Sequence, residues 1–482
     1  MTKSTTKRMA SNFSWLVGGN IISGAASFFS TIYLARVLEV AAFGLLNFAQ
    51  AFLAYLLLMV DSGLSVFGMR EIAREKEKVG IIFTNLLALR LLIALFIFLF
   101  ACIILLWLPL PNYLRLFFGA TFSIVLYRAL NTEWVFQGME KMKYVAFAKV
   151  SLSLLSLFLI FLLIRSSSDL VKVPIIQSLC GLSVSIFFLG WLCLKFLNFR
   201  LDYLSPKNWV NYFILSLPLG ASMILIQIYA NLDTIMLGFL KTPAVVGYYN
   251  AAYKIFYIFV GFFATWQATA LPVVSRKIKE NKQEALQFLE KYLKINLLAT
   301  MPLIVLAFLS SPLLIRLIFG PSYSPAALAL RILIWDLIAI VIGSTYGVTI
   351  LIPAGLFNAF LASVSTGAIV NIIFNFLLIP KYSFVGAALA TILAEVSAVF
   401  VSFFLAKKVF VLDLIKPLRN ATIFTLGATI AYGAINYGAA RLSLSFLNQI
   451  FALILFVIVY LILLLICEKH FIFSFVEEIL RK

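Results

Sequence analysis

The sequence predicts an all-α integral membrane protein: fourteen transmembrane helices, arranged as two parallel-repeat six-helix bundles plus two C-terminal helices. Composition, a series of long apolar runs and a similarity between the two halves predict it. Of 482 residues, 63% are hydrophobic, only 12% are charged, and the mean hydropathy is +1.07. A soluble domain carries about 45–50% apolar and about 25% charged residues. A soluble enzyme, a DNA-binding protein and a disordered chain are therefore excluded. The 47 phenylalanines suit helices that face lipid.

A helix needs about 20 apolar residues to cross the hydrocarbon core. Such runs occupy 12–37, 43–67, 80–107, 114–136, 144–164, 173–195, 209–240, 245–272, 294–319, 327–352, 356–379, 384–406, 420–438 and 446–467. They are too long for barrel strands and do not alternate as such strands must. Between them the basic residues fall unevenly. The first run follows Lys3, Lys7 and Arg8, and the second leads to Arg70, Arg74, Lys76 and Lys78. Lys141 and Lys143 follow the fourth run; Lys195, Arg200 and Lys207 follow the sixth. Arg276, Lys277, Lys279, Lys282, Lys291 and Lys294 follow the eighth; Lys407, Lys408, Lys416 and Arg419 follow the twelfth; Lys469, Arg481 and Lys482 end the chain. These 25 share one side, against seven on the other: Arg36, Arg115, Arg165, Lys172, Lys241, Lys381 and Arg441. Positive charge stays inside, so both termini are expected in the cytoplasm and the protein in the cytoplasmic membrane. The net charge of +19 is then mostly topological, with some attraction to anionic lipid and no nucleic-acid partner. The connection 353–355 carries no charge, and its side follows from the helix count.

The first run is too long for a signal-peptide core and is expected to be retained. Cys102, Cys180, Cys193 and Cys467 lie in or at the ends of runs and read as buried thiols rather than a disulfide framework. The longest connection, 273–294, places Ile278, Leu286 and Leu289 among charges, as an amphipathic helix on the membrane surface would.

The chain resembles itself. Gly44-Leu45-Leu46-Asn47-Phe48-Ala49 matches Gly247-Tyr248-Tyr249-Asn250-Ala251-Ala252 at an offset of 203, and Leu64-Ser65-Val66-Phe67 resembles Leu271-Pro272-Val273-Val274 at an offset of 207. Each of the latter pair leads into a basic connection. Six runs separate the copies; six is even, so the halves share one orientation, a parallel repeat about an axis along the membrane normal. The expected division is 1–200, 201–410 and a C-terminal pair in 411–482. Two similar bundles about a central cavity suit alternating access, residues 1–200 rocking against 205–410.

Several stretches resemble a known family. Asn20 to Gly44, with Leu34-Ala35-Arg36 and Phe43-Gly44, is similar to the start of oligosaccharide flippases. So are Gly63-Leu64 leading to Arg70-Glu71-Ile72-Ala73-Arg74, and Glu133-Trp134-Val135-Phe136-Gln137-Gly138-Met139-Glu140-Lys141. Asp233-Thr234-Ile235-Met236-Leu237-Gly238 followed by Val246-Gly247-Tyr248-Tyr249 fits as well. Glu39-Val40 departs from the pattern, where family members often carry a Leu-Gly turn. The resemblance covers the first twelve runs and is to the Wzx-like flippases of the multidrug/oligosaccharidyl-lipid/polysaccharide exporter superfamily. It implies a flippase carrying polyprenyl-diphosphate-linked oligosaccharide from the cytoplasmic to the outer leaflet. Membrane lipid and other polysaccharide-assembly membrane proteins are the implied partners.

An ionisable group at mid-membrane costs several kcal/mol unless it faces protein or water. The cations inside runs are Arg90, Arg128, Lys149, Lys254, Arg316 and Arg331; the anions are Asp61, Glu133, Asp233, Asp336 and Glu395. Arg90 lies ten residues into its run, about 15 Å at 1.5 Å per residue, and Lys254 and Glu395 lie similarly deep. Lys149 and Arg316 sit near run ends and can snorkel. A lipid diphosphate carries about two negative charges; Arg offers a planar fork to its oxygens and Lys a point charge. Arg90, Arg128 and Lys254, with Arg36 and Arg331 at the outer mouth, are candidate substrate contacts, as is Asn250 on the face of Lys254. The alternative is that the cations neutralise the carboxylates in structural pairs. No cofactor is expected, and the GxxxxGK[ST] phosphate loop is missing, so energy would come from an H⁺ or Na⁺ gradient. Asp233, Asp336 and Glu395 are the ion-coupling candidates. Paired amides (Gln227 with Asn231, Asn371 with Asn375) and the stripe Tyr249, Tyr253, Tyr257 add polar and aromatic capacity.

An enzyme would cluster catalytic groups on a large outer loop, but the outer loops are short and His470 is the sole histidine. A MATE-like cation-coupled drug exporter would share the fold and favour an acidic pocket; here six cations face five anions. A flippase for the lipid II-type peptidoglycan precursor also has fourteen spans and stays open as an alternative.

Overall fold

In a computed structural model of the protein the apolar runs are helical, and no strand occurs among the described residues, which are 3–196, 201–439 and 445–480. Arg200, Arg441, Arg481 and Lys482 lie outside them. Ten helical stretches among the described residues are long and apolar enough to cross a membrane. The chain divides into two units, Met1–Asn250 and Ala251–Lys482.

In the first unit, α1 (Lys3–Asp61) contains both runs 12–37 and 43–67 up to Asp61, with a break at Glu39, φ 64° and ψ 173°. The expected outer loop is only five residues, so helical hydrogen bonding continues up to the break on both sides. α2 (Leu64–Arg74) starts at Gly63, whose φ of 82° suits glycine. α3 (Val79–Trp107), α7 (Met142–Leu163) and α8 (Lys172–Lys195) match single runs. The run 114–136 is instead three pieces: α4 (Asn112–Phe122), α5 (Ile124–Ala129) and α6 (Glu133–Gly138). α9 (Trp209–Leu240) and the start of α10 (Pro243–Glu280) complete the unit.

Helices in lipid gain little from apolar burial against one another, so close packing and polar contacts must hold them. Both are present. A Cβ on Gly44 would lie 1.8 Å from the Pro243 carbonyl oxygen and 2.7 Å from the Gly247 nitrogen, so α1 and α10 approach to backbone contact. Phe83, Phe136, Leu64 and Ile72 fill one core cluster, and Leu38, Phe117 and Ile164 another. Asn85 on α3 is a polar hub: it donates to the Tyr203 carbonyl at 2.7 Å and accepts from Ser205 N at 2.7 Å and Trp209 Nε1 at 3.0 Å. In the connection after α7, Asp169 accepts from Arg165 N and Ser166 N and pairs with Lys172 Nζ at 2.6 Å. The Lys172 ammonium, then these backbone donors, pull its carboxyl down to about 2.

In the second unit, α10 runs into the basic connection, which is helical as expected. Asn281 then caps α11 (Lys282–Ile318), accepting from Gln283 N at 3.0 Å. The run 327–352 is α12 (Ala326–Leu333), α13 (Asp336–Ser344) and a π-helical segment, Thr345–Leu351. The Gln267 side chain donates to the Ser344 carbonyl at 2.9 Å, beside the wider turns. α14 (Phe357–Ala406) joins runs 356–379 and 384–406 through a break at Ser383, φ 57°, just after Pro380. α15 (Ile415–Ala439) and α16 (Ser445–Leu480) follow. α16 breaks at Glu468, whose carboxylate takes Lys294 Nζ at 2.6 Å and Asn420 Nδ2 at 2.9 Å.

Candidate functional site

The first unit holds a polar pocket of about 380 Å³ where α1, α2, α3, α5 and α6 converge. Its geometry starts from a helix end. α5 stops at Ala129 and α6 begins at Glu133, which leaves the turn's carbonyls short of α-helical partners; the Arg128 carbonyl takes a tighter bond from Asn131 N at 3.2 Å. Arg90, 5% exposed on α3, supplies donors: Nη2 donates to the Arg128 carbonyl at 3.0 Å and Nη1 to the Asn131 carbonyl at 3.2 Å. Nη2 also lies 3.6 Å from Asp61 Oδ1 at the end of α1. The Ser65 hydroxyl donates to the same carboxylate. Asn131 closes the turn: its Oδ1 accepts from Glu133 N at 2.7 Å and its Nδ2 donates to Glu133 Oε1 at 3.1 Å.

The two arginines differ sharply. Arg90 is buried and its charge is answered by Asp61. The Arg128 side chain is exposed on the pocket wall, near the Tyr127 ring at 5.6 Å, with no carboxylate in ion-pair reach among the described residues. Asp61 and Glu133 thus enter the same pocket as the candidate cations. Ser65, Asn131, Trp134 and Gln137 also line it, and were not candidates from sequence. Trp134 and Gln137 lay within the Glu133–Lys141 stretch that carried the family resemblance; only the breaks at 62–63 and 130–132 bring them to Arg90.

The remaining candidates lie elsewhere. Arg36 is exposed on α1, three residues before the Glu39 break. Asp233, 3% exposed, accepts from the Tyr249 hydroxyl at 2.5 Å, and Asn250 bonds Thr234 and the Val246 carbonyl one step along the same pair of helices. In the second unit, Lys254 is half-buried, with no carboxylate of that unit in ion-pair reach among the described residues. Arg331 is held by Ser311 Oγ at 3.0 Å and stands 5.3 Å from the Phe308 ring. Asp336, 1% exposed, sits in the first turn of α13, and Glu395 is half-buried on α14. A second cavity, of about 450 Å³ between α11 and α16, is lined by apolar groups such as Leu298, Pro302 and Phe456 and suits no charged headgroup.

Long apolar helices around a polar, charge-bearing pocket define a polytopic membrane protein with an internal polar site. Among the described residues no group of three or more His, Cys, Asp or Glu could hold a metal. The family described as polysaccharide biosynthesis protein matches residues 9–278, more than half of the chain, and the chain belongs to it. This membership agrees with the resemblance to polysaccharide-assembly flippases that the motifs carried. The chain is 23% identical over 372 residues to a putative O-antigen transporter of Escherichia coli (strain K12), covering 75% of this chain and 88% of that one. It is 25% identical over 409 residues to the capsular polysaccharide biosynthesis protein CapF of Staphylococcus aureus, covering 83% of this chain and 100% of that one. Its fold is shared with the lipid II flippase MurJ in an inward closed conformation: TM-score 0.75 at 17% identity, covering 95% of this chain and 99% of that chain. Among the proteins it resembles, the Escherichia coli relative is described as a putative O-antigen transporter and MurJ as a lipid II flippase.

Proposed function

We propose that the chain carries polyprenyl-diphosphate-linked oligosaccharide from the cytoplasmic to the outer leaflet by alternating access, driven by an H⁺ or Na⁺ gradient. The observation that carries this reading is Arg128, an exposed cation on the wall of a pocket inside apolar helices, in a chain of the polysaccharide biosynthesis family. Arg128 and Lys254 are the proposed phosphate contacts, with Arg36 and Arg331 at the outer mouth; Arg90 acts by holding the Arg128 turn. Asn250 adds a polar contact. Asp233, Asp336 and Glu395 are the proposed coupling carboxylates, and burial of the first two supports the choice. A carboxylate in an apolar span is a group that can exchange a proton or ligate Na⁺.

Fourteen spans fit the helix lengths. The stretches Ser11–Asp61 and Phe357–Ala406 run 51 and 50 residues, about 75 Å each, twice a bilayer core, and each is broken once. Counting each as two and adding α9 and α15 gives fourteen. The repeat is supported by Gly44 and Gly247, which match in sequence and approach each other in space; residues related by a two-fold meet where they lie near its axis. The proposed bundles are 1–200 and 201–410, with 411–482 appended, in the cytoplasmic membrane with both termini inside.

The test is flipping in proteoliposomes. A short polyprenyl-diphosphate oligosaccharide is loaded inside, and its exposure outside is scored with an impermeant glycan reporter, with and without an imposed H⁺ or Na⁺ gradient. Protein-dependent exposure, accelerated by one gradient, is expected. Movement of cationic dyes with the glycan lipid left in place would transfer the protein to the drug exporters.

A further inference from the structure

On the reading that this chain moves a lipid-linked glycan, the geometry points to the first unit's pocket as a sugar-binding subsite that takes one ring of the headgroup beside the phosphate.

The charge of the pocket is the first reason. Arg90 lies against Asp61 and spends its Nη donors on Asp61 and two backbone carbonyls. What stays available is one guanidinium, Arg128, and one carboxylate, Glu133, so the pocket carries no net positive excess. A doubly charged diphosphate seated inside would meet Glu133 and Asp61 as well as Arg128, and like charges in a partly buried site repel by several kcal/mol. A neutral ligand incurs no such repulsion.

The donor and acceptor set is the second reason. Arg128 and the Trp134 indole donate; Glu133 accepts, and only its Oε1 is engaged; Gln137 can do both, and Ser65, whose hydrogen goes to Asp61, accepts. Trp134 is 4% exposed and its Nε1 has no partner among the described residues. Leu57 and Val60 provide an apolar patch on the same wall. Closely spaced hydroxyls that both donate and accept, on a ring with C–H faces, match this mixture; a phosphate, which only accepts, does not. A volume of about 380 Å³ is enough for a small polar molecule, such pockets running from about 300 Å³ upward. Arg128, exposed at the wall, is then placed for the phosphate next to the ring.

The test uses the full-length protein in proteoliposomes. Transported lipid is polyprenyl diphosphate bearing one N-acetylhexosamine, scored by an impermeant galactosyltransferase, with sugar-free polyprenyl diphosphate as competitor. Glu133→Gln and Gln137→Ala are compared with the unaltered chain. Losing one hydrogen bond to the ring raises KM for the sugar-bearing lipid three- to about tenfold. The inhibition constant of the sugar-free competitor stays unchanged, which also reports a folded protein. An equal rise in both constants would place the diphosphate in the pocket and overturn the proposal, as would no change in either. Failure of the unaltered chain to expose the glycan would sink the flippase reading itself, and this subsite with it.

Discussion

Arg90 and Arg128 look alike in sequence, two arginines inside apolar runs, yet the fold buries Arg90 against Asp61 and leaves Arg128 exposed on the pocket wall. Arg90→Met takes the charge partner from the Asp61 carboxylate and the guanidinium donors from the Arg128 and Asn131 carbonyls. About 3 kcal/mol of stability is expected to go, since breaking a buried ion pair leaves the partner charge uncompensated. Arg90→Lys recovers part of it, because an ammonium cannot span the carbonyls and the carboxylate as a fork does. Arg128→Gln is expected to shift stability by no more than about 0.5 kcal/mol and to lower flipping at least tenfold. Thermal unfolding in detergent beside the flipping assay separates the two; equal loss of stability in both variants would contradict the assignment. Depth along a run marked both arginines from sequence. The split between them was not legible there, because it depends on where α5 ends. That end is set by Asn131 bonding Glu133 and by Arg90 reaching across 41 residues. Ser65 and Gln137 were hidden for the same reason: uncharged polar residues give no hint of a pocket until the breaks place them.

At the level of elements, helices followed closely from hydropathy and their interruptions did not. Runs bounded by charges became α3, α7, α8 and α9 nearly end for end. The runs 114–136 and 327–352 split, because a single buried arginine or a π-helical turn changes the path without changing the average hydropathy. Small residues at close approaches are the second feature that hydropathy cannot weigh. Gly44→Ala drives a Cβ into the Pro243 carbonyl and is expected to cost 2 kcal/mol or more, by the order of a core overpacking. Gly119→Ala meets nothing within 4 Å and is expected to be neutral or slightly stabilising. Similar melting temperatures for the two variants would argue against the contact. The Asp169 cluster predicts a pH response. Its carboxyl lies below the ordinary range, so the charged form stabilises the loop above about pH 4. That contribution fades as pH falls toward about 2. Asp169→Asn should lack this part of the acid profile and leave the rest; an unaltered profile would show that Lys172 and the backbone donors do not hold the group.

For the whole molecule, the charge asymmetry leads to an orientation that a chemical label can read. In a chain with Cys102, Cys180, Cys193 and Cys467 replaced by serine, Glu77→Cys and Ser167→Cys introduce exposed thiols in connections of opposite sides. An impermeant maleimide added to intact cells is expected to label position 167 and spare position 77 until the cells are opened. The reverse pattern would invert the topology and, with it, the direction of transport. The apolar exterior agrees with a place in the membrane, whichever way the chain is turned: Phe96, Phe100 and Leu194 stand well exposed, as residues facing acyl chains do.

Glu39 carries a design consequence. Its φ of 64° with ψ of 173° falls in a region that glycine alone enters freely, and a glutamate held there stores about 1–3 kcal/mol. Glu39→Gly releases that energy and gives back part of it as unfolded-chain entropy, for a net gain near 1 kcal/mol. The side chain is exposed, so no packing is lost. One codon change at this bend is therefore the first to try when a longer-lived preparation is wanted for cryo-microscopy, with retention of flipping as the measure of whether the native bend was only tolerated or is used.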